Sequence, residues 1–307
     1  MSTTDKVSSS CVWPAINKSI PHILFLILLT LSILPGHDMA PQKWTYLLVI
    51  ALCELLLLVR RKLQSIHDIM AIIYAIFIFW QFFTVQIPDM NQILYPSPAK
   101  VFSILASDYK KIFEGIVSSM YLLAFGFTLA LVLGVALGIL TGSTPRLRDS
   151  LLPIAKVVNP IPPIIYTPYA VAILPTFTIA SIFVIFSSIF WQIYIQVAIG
   201  VAGIDHKLLD SAKTMNLSKK AMVLHIYWPY CLPQVMKTLP ISVANSFMVL
   251  TAAEMIGATS GLGYFVRYYA DFADYPRVLA GIIVIGVVVS ALNCGISNLE
   301  RRIIRWR

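Results

Sequence analysis

The sequence predicts an all-α, polytopic membrane protein with eight spans and both termini cytoplasmic. Three observations predict it. First, 58% of the 307 residues are hydrophobic and only 12% are charged, with a mean hydropathy of +0.81. A soluble chain of this length has no interior able to hide that much apolar surface. Second, apolar runs recur at about the 20 residues a helix needs to cross ~30 Å of hydrocarbon. Third, positive charge clusters in Arg60-Arg61-Lys62, in Arg146 with Arg148, between Lys207 and Lys220, and from Arg301 to Arg307. Eight spans put all four clusters on the cytoplasmic side at once. That placement makes the net charge of +9 a membrane signature and excludes nucleic acid as a partner.

Residues 1–19 are polar, carry Ser8-Ser9-Ser10 and Pro14, and read as a disordered or surface-lying tail. No cleavable signal is evident in them. The first span is the run 20–34, long enough if it extends back to Trp13. The second is 44–59, ended by the basic cluster, and the third is 66–85. A polar, proline-rich stretch, 88–114, follows. Pro96 and Pro98 enforce an extended approach to an interfacial helix over 99–113, with Val101, Ile104 and Leu105 at helical spacing. The fourth span, 116–140, carries Gly126, Gly134 and Gly138, with Gly142 just beyond, and small residues four apart let helices approach closely. Residues 143–149 read as a loop. The fifth span, 151–174, is broken by Pro160, Pro162, Pro163 and Pro168. So much proline frees backbone groups that only protein or a water-filled cavity can satisfy. The sixth, seventh and eighth spans are 179–201, 239–256 and 278–296. Lys100, Lys110 and Lys111 fall on the outer side and make the charge bias imperfect there.

The segment 210–233 is the most informative. It is amphipathic and charged, yet lies between two long apolar runs. Asp210-Ser211-Ala212-Lys213-Thr214 reads as a short polar helix, Met215-Asn216-Leu217 breaks it, and Ser218-Lys219-Lys220 starts a second helix that runs into Pro229 and Pro233. Helix, tight turn and helix make a knob that docks into another protein's groove, or else an ordinary cytoplasmic loop.

Catalytic motifs are absent. No GxxxxGK[ST] is present to cradle nucleotide phosphates, and neither HExxH nor GxSxG occurs. Cys11, Cys53, Cys231 and Cys294 have no CxxC spacing, so neither a metal site nor disulfides are implied. His206 and His225 read as loop or interface residues. The expectation is a non-enzyme without a cofactor of its own.

The knob resembles the cytoplasmic loop shared by permease subunits of binding-protein-dependent ABC importers, a pattern that begins Glu-Ala-Ala and continues with a Gly and a later Ile-x-x-Pro. The matching residues are Asp210-Ser211-Ala212, then Asn216 at the glycine position, then Ile226-Tyr227-Trp228-Pro229, with Pro233 as a second family proline. Asp keeps the charge, and Asn is the non-glycine residue that best tolerates a left-handed turn. A second block, Ala253-Glu254-Met255-Ile256-Gly257-Ala258-Thr259-Ser260-Gly261-Leu262-Gly263, is similar to the signature of the nitrate, sulfonate, taurine and bicarbonate permeases. So are Tyr95-Pro96-Ser97-Pro98 and Asn159-Pro160-Ile161-Pro162-Pro163. The Trp-Phe-Gly usual in that family near Ile173-Leu174-Pro175 is missing. The resemblance covers about residues 66–307.

It implies a six-helix permease core over 66–307, with a coupling loop at 206–233, and two extra N-terminal transmembrane helices within 1–65. It further implies two ABC ATPase subunits that bind ATP and Mg, a soluble or lipid-anchored binding protein, a homodimer or heterodimer in the cell's inner membrane, and membrane lipid around it. Asp210, Ser211, Ala212, Lys213, Asn216 and Leu217 are the expected ATPase contacts. Arg146 and Arg148 are either a second contact or headgroup anchors. Gln192 and Gln196, one helical turn apart, with Asn245 and Ser246, either line the pathway or bond helices together. Tyr166 and Tyr169 are expected on the same pathway. Glu254, an intramembrane carboxylate, is either a gate or a structural hydrogen-bonding site. The substrate is an oxyanion, an organosulfonate or a neutral heterocycle. The alternative to an importer is a secondary transporter or scaffold without ATPases.

Overall fold

The computed structural model describes residues 9–34, 43–59, 64–87 and 90–303. They form helices joined by short turns and extended links, with no strand among them. The cluster Arg60-Arg61-Lys62, the loop 35–42 and residues 304–307 lie outside the described residues.

The first compact unit holds residues up to Lys110 together with Tyr269–Ala280. In it α1 (Ser9–Ile33) packs on α3 (Gln64–Gln81), α2 (Trp44–Val59) touches both, and α4 (Pro98–Ser107) packs on α2. Residues 9–19 are helical rather than disordered: α1 starts eleven residues before its apolar run and carries Pro14 within it. The core is Leu28, Tyr46, Ile50, Tyr74 and Ala99. Tyr46 lies 5.6 Å from Phe102, and Phe77 stacks on Trp80 at 6.1 Å. Lipid is as apolar as leucine, so such rings associate through packing rather than escape from water. A polar clamp joins the helices as well: Glu54 of α2 pairs with His22 of α1 and accepts from the Tyr74 hydroxyl of α3 at 3.0 Å.

A π-helical turn, Phe82–Gln86, extends α3. The approach to α4 is extended, as the two prolines require. Ser97, at φ −68° and ψ 152°, caps the helix by accepting from the Lys100 amide, and Pro98 occupies its first turn. This helix stops at Ser107, not at 113. Asp108 breaks it, and the next residues already belong to α5.

The second unit comprises Lys111–Tyr268 and Gly281–Arg307. Its spine is α5 (Tyr109–Ser143) against α8 (Phe177–Ala202). The glycine stripe of α5 explains the fit. A Cβ on Gly126 would stand 2.7 Å from Ile185, on Gly138 2.8 Å from Val197, and on Gly142 2.6 Å from the Ala198 carbonyl. β-branched side chains of α8 fill the space those glycines leave.

The segment expected as loop 143–149 and fifth span 151–174 is organised differently. Pro145 sits in the first turn of α6 (Pro145–Val158), where its missing N–H costs nothing. The chain then breaks at 159–162 and resumes as α7 (Pro163–Ile173). At 1.5 Å per residue, the eleven residues of α7 reach only about 16 Å. Both helices pack on α8.

The second helix of the knob runs on through Pro229 and Pro233. Short α9 (His206–Thr214) and α10 (Lys219–Met222) are followed by a π-helical turn, Val223–Tyr227, and α11 (Trp228–Gly257). Pro229 stands in the first turn of α11, just after the wider π turn, while Pro233 and Pro240 are absorbed within it. A continuous helical rod, Lys219–Gly257, results, and it packs on α8 and α7. The chain ends in α12 (Leu262–Asp271) and α13 (Tyr275–Ile303).

Five helical stretches among the described residues are long and apolar enough to cross a membrane: Gln64–Gln86, Tyr109–Ser143, Phe177–Ala202, Lys219–Gly257 and Tyr275–Arg302. The other three expected spans fall on shorter apolar helices, Lys18–Ile33, Trp44–Val59 and Pro163–Ile173.

Candidate functional site

The knob is built from its caps. The Asp205 carboxylate accepts from the Lys207 amide at 2.9 Å and starts α9. The helix ends when Asn216 turns left-handed, at φ +53°. That turn lets the Leu217 amide reach back to the Ala212 carbonyl at 3.3 Å, satisfying a carbonyl the helix end would orphan. Ser218 then accepts from the Ala221 amide at 3.3 Å and starts α10. The knob is therefore two capped helices around one left-handed residue.

Asp210, Ser211 and Asn216 are exposed on it, and Leu217 is half-buried. Met215, 74% exposed, is an apolar tip that the sequence reading overlooked. Ala212 is buried, so it packs the knob from within. Lys213 belongs to α9, but its side chain lies outside the described residues. Arg146 and Arg148 stand in the first turn of α6, where the helix dipole disfavours cations. Arg148 lies 3.6 Å from Asp149.

The expected pathway residues divide into two sets. Gln196 donates to the Gln234 carbonyl at 3.2 Å and accepts from the Thr238 hydroxyl at 2.9 Å. Gln192 accepts from Ser242 at 3.3 Å. Both glutamines thus join α8 to α11. Ser246 is buried and donates to the Ser242 carbonyl. Asn245 is exposed on α11. Tyr166 and Tyr169 line a cleft of about 570 Å³, with Trp191 and Ser187 on its other wall. Tyr166 donates to the Ser187 hydroxyl at 2.7 Å, and Tyr169 is 70% exposed.

Glu254 is buried near the end of α11, at 1% exposure. Ser119 of α5 donates to one carboxylate oxygen at 2.6 Å, and the Gly263 amide of α12 donates to the other at 2.7 Å. Ser119 in turn accepts from the Leu262 amide at 3.0 Å. A carboxylate facing first-turn amides complements the positive end of α12. Gly261, at φ +118°, passes so close that any Cβ would collide with the carboxylate. Arg267 closes the arrangement by donating to the carbonyls of Met255 and Ile256 at the end of α11. The latch ties α5, α11 and α12 together. Ser119 escaped the sequence reading because nothing marks a serine 135 residues away as a partner. Gly261 and Gly263 were visible only as part of a motif.

A family model described as "Binding-protein-dependent transport system inner membrane component" matches residues 130–305, more than half of the chain. The nitrate import permease protein NrtB of Synechocystis sp. is 31% identical over 189 residues, covering 62% of this chain and 69% of that one. The taurine transport system permease protein TauC of Escherichia coli is 30% identical over 177 residues, covering 58% and 64%. The bicarbonate transport system permease protein CmpB of Synechococcus elongatus is 27% identical over 262 residues, covering 80% and 92%. Among solved structures, an inward-facing MetNI methionine ABC transporter chain superposes with a TM-score of 0.52 at 18% identity. That match covers 66% of this chain and 99% of the other, and it shows a shared fold.

Proposed function

This chain belongs to the binding-protein-dependent transport system inner membrane components and is a permease subunit of an ABC importer, and we propose that it imports a small oxyanion or organosulfonate. The substrate class rests on relatives named for nitrate, taurine and bicarbonate. Family membership implies ATPase and binding-protein partners. Our reading gives it two ATPase subunits, which bind ATP and Mg and perform all hydrolysis. It also gives it a second copy of this chain, because one chain presents one knob and closed two-fold symmetry is the common arrangement. Eight crossings, with both termini in the cytoplasm of a cell with an inner membrane, complete the topology.

The observation that carries the reading is the knob and its rigid continuation into the rod Lys219–Gly257. A groove that grips Asp210, Ser211, Asn216 and Met215 moves α11 as a lever, and α11 bonds to α8 through Gln192 and Gln196. Ala212 and Leu217 shape the knob, Lys213 adds charge beside it, and Arg146 with Arg148 forms a second contact. Movement of α8 and α11 opens or closes the cleft that bears Tyr166 and Tyr169. We assign Tyr166, Tyr169 and Asn245 to the pathway lining. Ser246 and the two glutamines support its wall, and Glu254 anchors its end.

The test is uptake by vesicles containing the permease, its ATPase and its binding protein, offered labelled nitrate, taurine, bicarbonate and a neutral heterocycle in turn. ATP-dependent accumulation of one anion supports the reading. Accumulation of the heterocycle alone overturns the substrate class.

A further inference from the structure

The first unit carries two clefts lined by its own residues. The first, about 570 Å³, runs between the end of α3, at Ile76, Phe79 and Trp80, and the start of α13, at Tyr275 and Val278. Its lining is almost wholly apolar. The Trp80 indole N–H is already given to the Pro96 carbonyl at 3.0 Å, and the Thr84 hydroxyl to the Trp80 carbonyl at 2.8 Å. Ile76 and Phe79 are 60% and 63% exposed. Both helices are long and apolar enough to cross a membrane, so hydrocarbon surrounds the opening. Trp80, Tyr95 and Tyr275 rim it with the aromatic residues that favour a membrane interface.

The second cleft, about 620 Å³, has a mixed lining in which Lys100, Ser103, Ser107, Asp274 and Arg277 supply the polar groups, and it shares a wall with the first. Ile93 faces the mixed side while Leu94-Tyr95-Pro96 face the apolar one, and Arg277 faces the mixed side while Tyr275 and Val278 face the apolar one. Arg277 is committed to Asp108 at 2.6 Å and to Asp274, and lies 5.0 Å over the Tyr269 ring. Lys100 also lines this cleft, and its ammonium has no ion-pair partner among the described residues.

We propose that this wall is a phospholipid site, with one acyl chain in the apolar cleft and the phosphate against Lys100 in the mixed cleft. Two chemistries side by side at the end of two spans match the two halves of one amphiphile. Arg277 is matched by two carboxylates, Asp108 and Asp274, the second of which also lines the cleft, so Lys100 is the cation left to meet an anion. The site also accounts for a cation that the charge bias of the loops does not. Lys100 lies beyond the end of α3 remote from Arg60-Arg61-Lys62, where lysine is otherwise disfavoured. A lipid phosphate at that depth supplies its counter-charge.

The test uses the full transporter purified in mild detergent and titrated with dioleoylphosphatidylglycerol or dioleoylglycerol, with bound lipid counted by native mass spectrometry. The wild type is expected to retain one phospholipid per chain and to prefer it to the diacylglycerol. Lys100→Gln is expected to weaken retention about fivefold, and Lys100→Arg to restore it. Ile76→Trp, which fills the apolar cleft from an exposed position, should abolish it while leaving the unfolding transition unchanged. Equal retention of the diacylglycerol, or wild-type retention by both Lys100→Gln and Ile76→Trp, overturns the proposal. So does dimer formation through this wall, detected by cross-linking at Ile93→Cys, in place of lipid retention.

Discussion

Replacing Glu254 by alanine tests the latch at the end of α11. The substitution removes the acceptor of the Ser119 hydroxyl and of the Gly263 amide, both buried. A buried donor left without a partner costs about 1–3 kcal/mol. Two such groups and the vacated side-chain space press the loss toward the upper end. Burying a carboxylate among neutral donors is itself unfavourable, and its removal returns part of that cost. The net expectation is a destabilisation of about 2–4 kcal/mol. Glutamine keeps a carbonyl for the Gly263 amide but turns an NH2 toward Ser119, so it should cost about 1 kcal/mol. Unfolding in mixed detergent–SDS micelles measures both, and hydrogen exchange over 257–268 should accelerate in the alanine variant before any other segment does. An alanine variant within about 0.5 kcal/mol of wild type, with unchanged exchange there, would refute the latch.

The α5–α8 contact predicts that Gly138→Ala and Gly142→Ala each cost about 1–3 kcal/mol through overpacking, whereas Gly286→Ala, with nothing within 4 Å of the new methyl, should cost nothing. The same unfolding assay decides it, and equal behaviour of the three variants would contradict the packing account. Glu54→Ala should destabilise the N-terminal helices by about 1–3 kcal/mol by stranding His22 and Tyr74, read as earlier proteolysis between α2 and α3. Tyr166→Phe removes one hydroxyl bond to Ser187, and about 1 kcal/mol is expected; Tyr169→Ala should leave stability unchanged while altering uptake.

The apolar runs were legible because their length and charge flanks follow from the bilayer alone. So was Asn216: a residue tolerant of positive φ stood where the knob needed a turn, and φ is +53°. Helix ends near prolines were not legible. The stretch 143–149 reads as a loop, yet Pro145 opens α6 within it, in a first turn where its lack of an N–H is harmless. The π turn that precedes Pro229 leaves no trace in hydrophobic periodicity. The partners of Glu254 and of the two glutamines depend on contacts across tens to more than a hundred residues, which no local pattern encodes. The glycine stripe was visible as spacing, but its fit to Ile185 and Val197 was not.

The central claim is that the knob transmits the ATPase stroke, and Asn216 tests it most directly. Proline cannot adopt φ +53°, whereas glycine adopts it freely. ATP hydrolysis by the reconstituted transporter would be compared for wild type, Asn216→Gly, and Asp210→Lys combined with Asn216→Pro. The account predicts that loaded binding protein stimulates the first two alike and leaves the third, still folded, at its basal rate. Wild-type stimulation in the double variant, or failure of any ATPase to associate with the wild type, would contradict it.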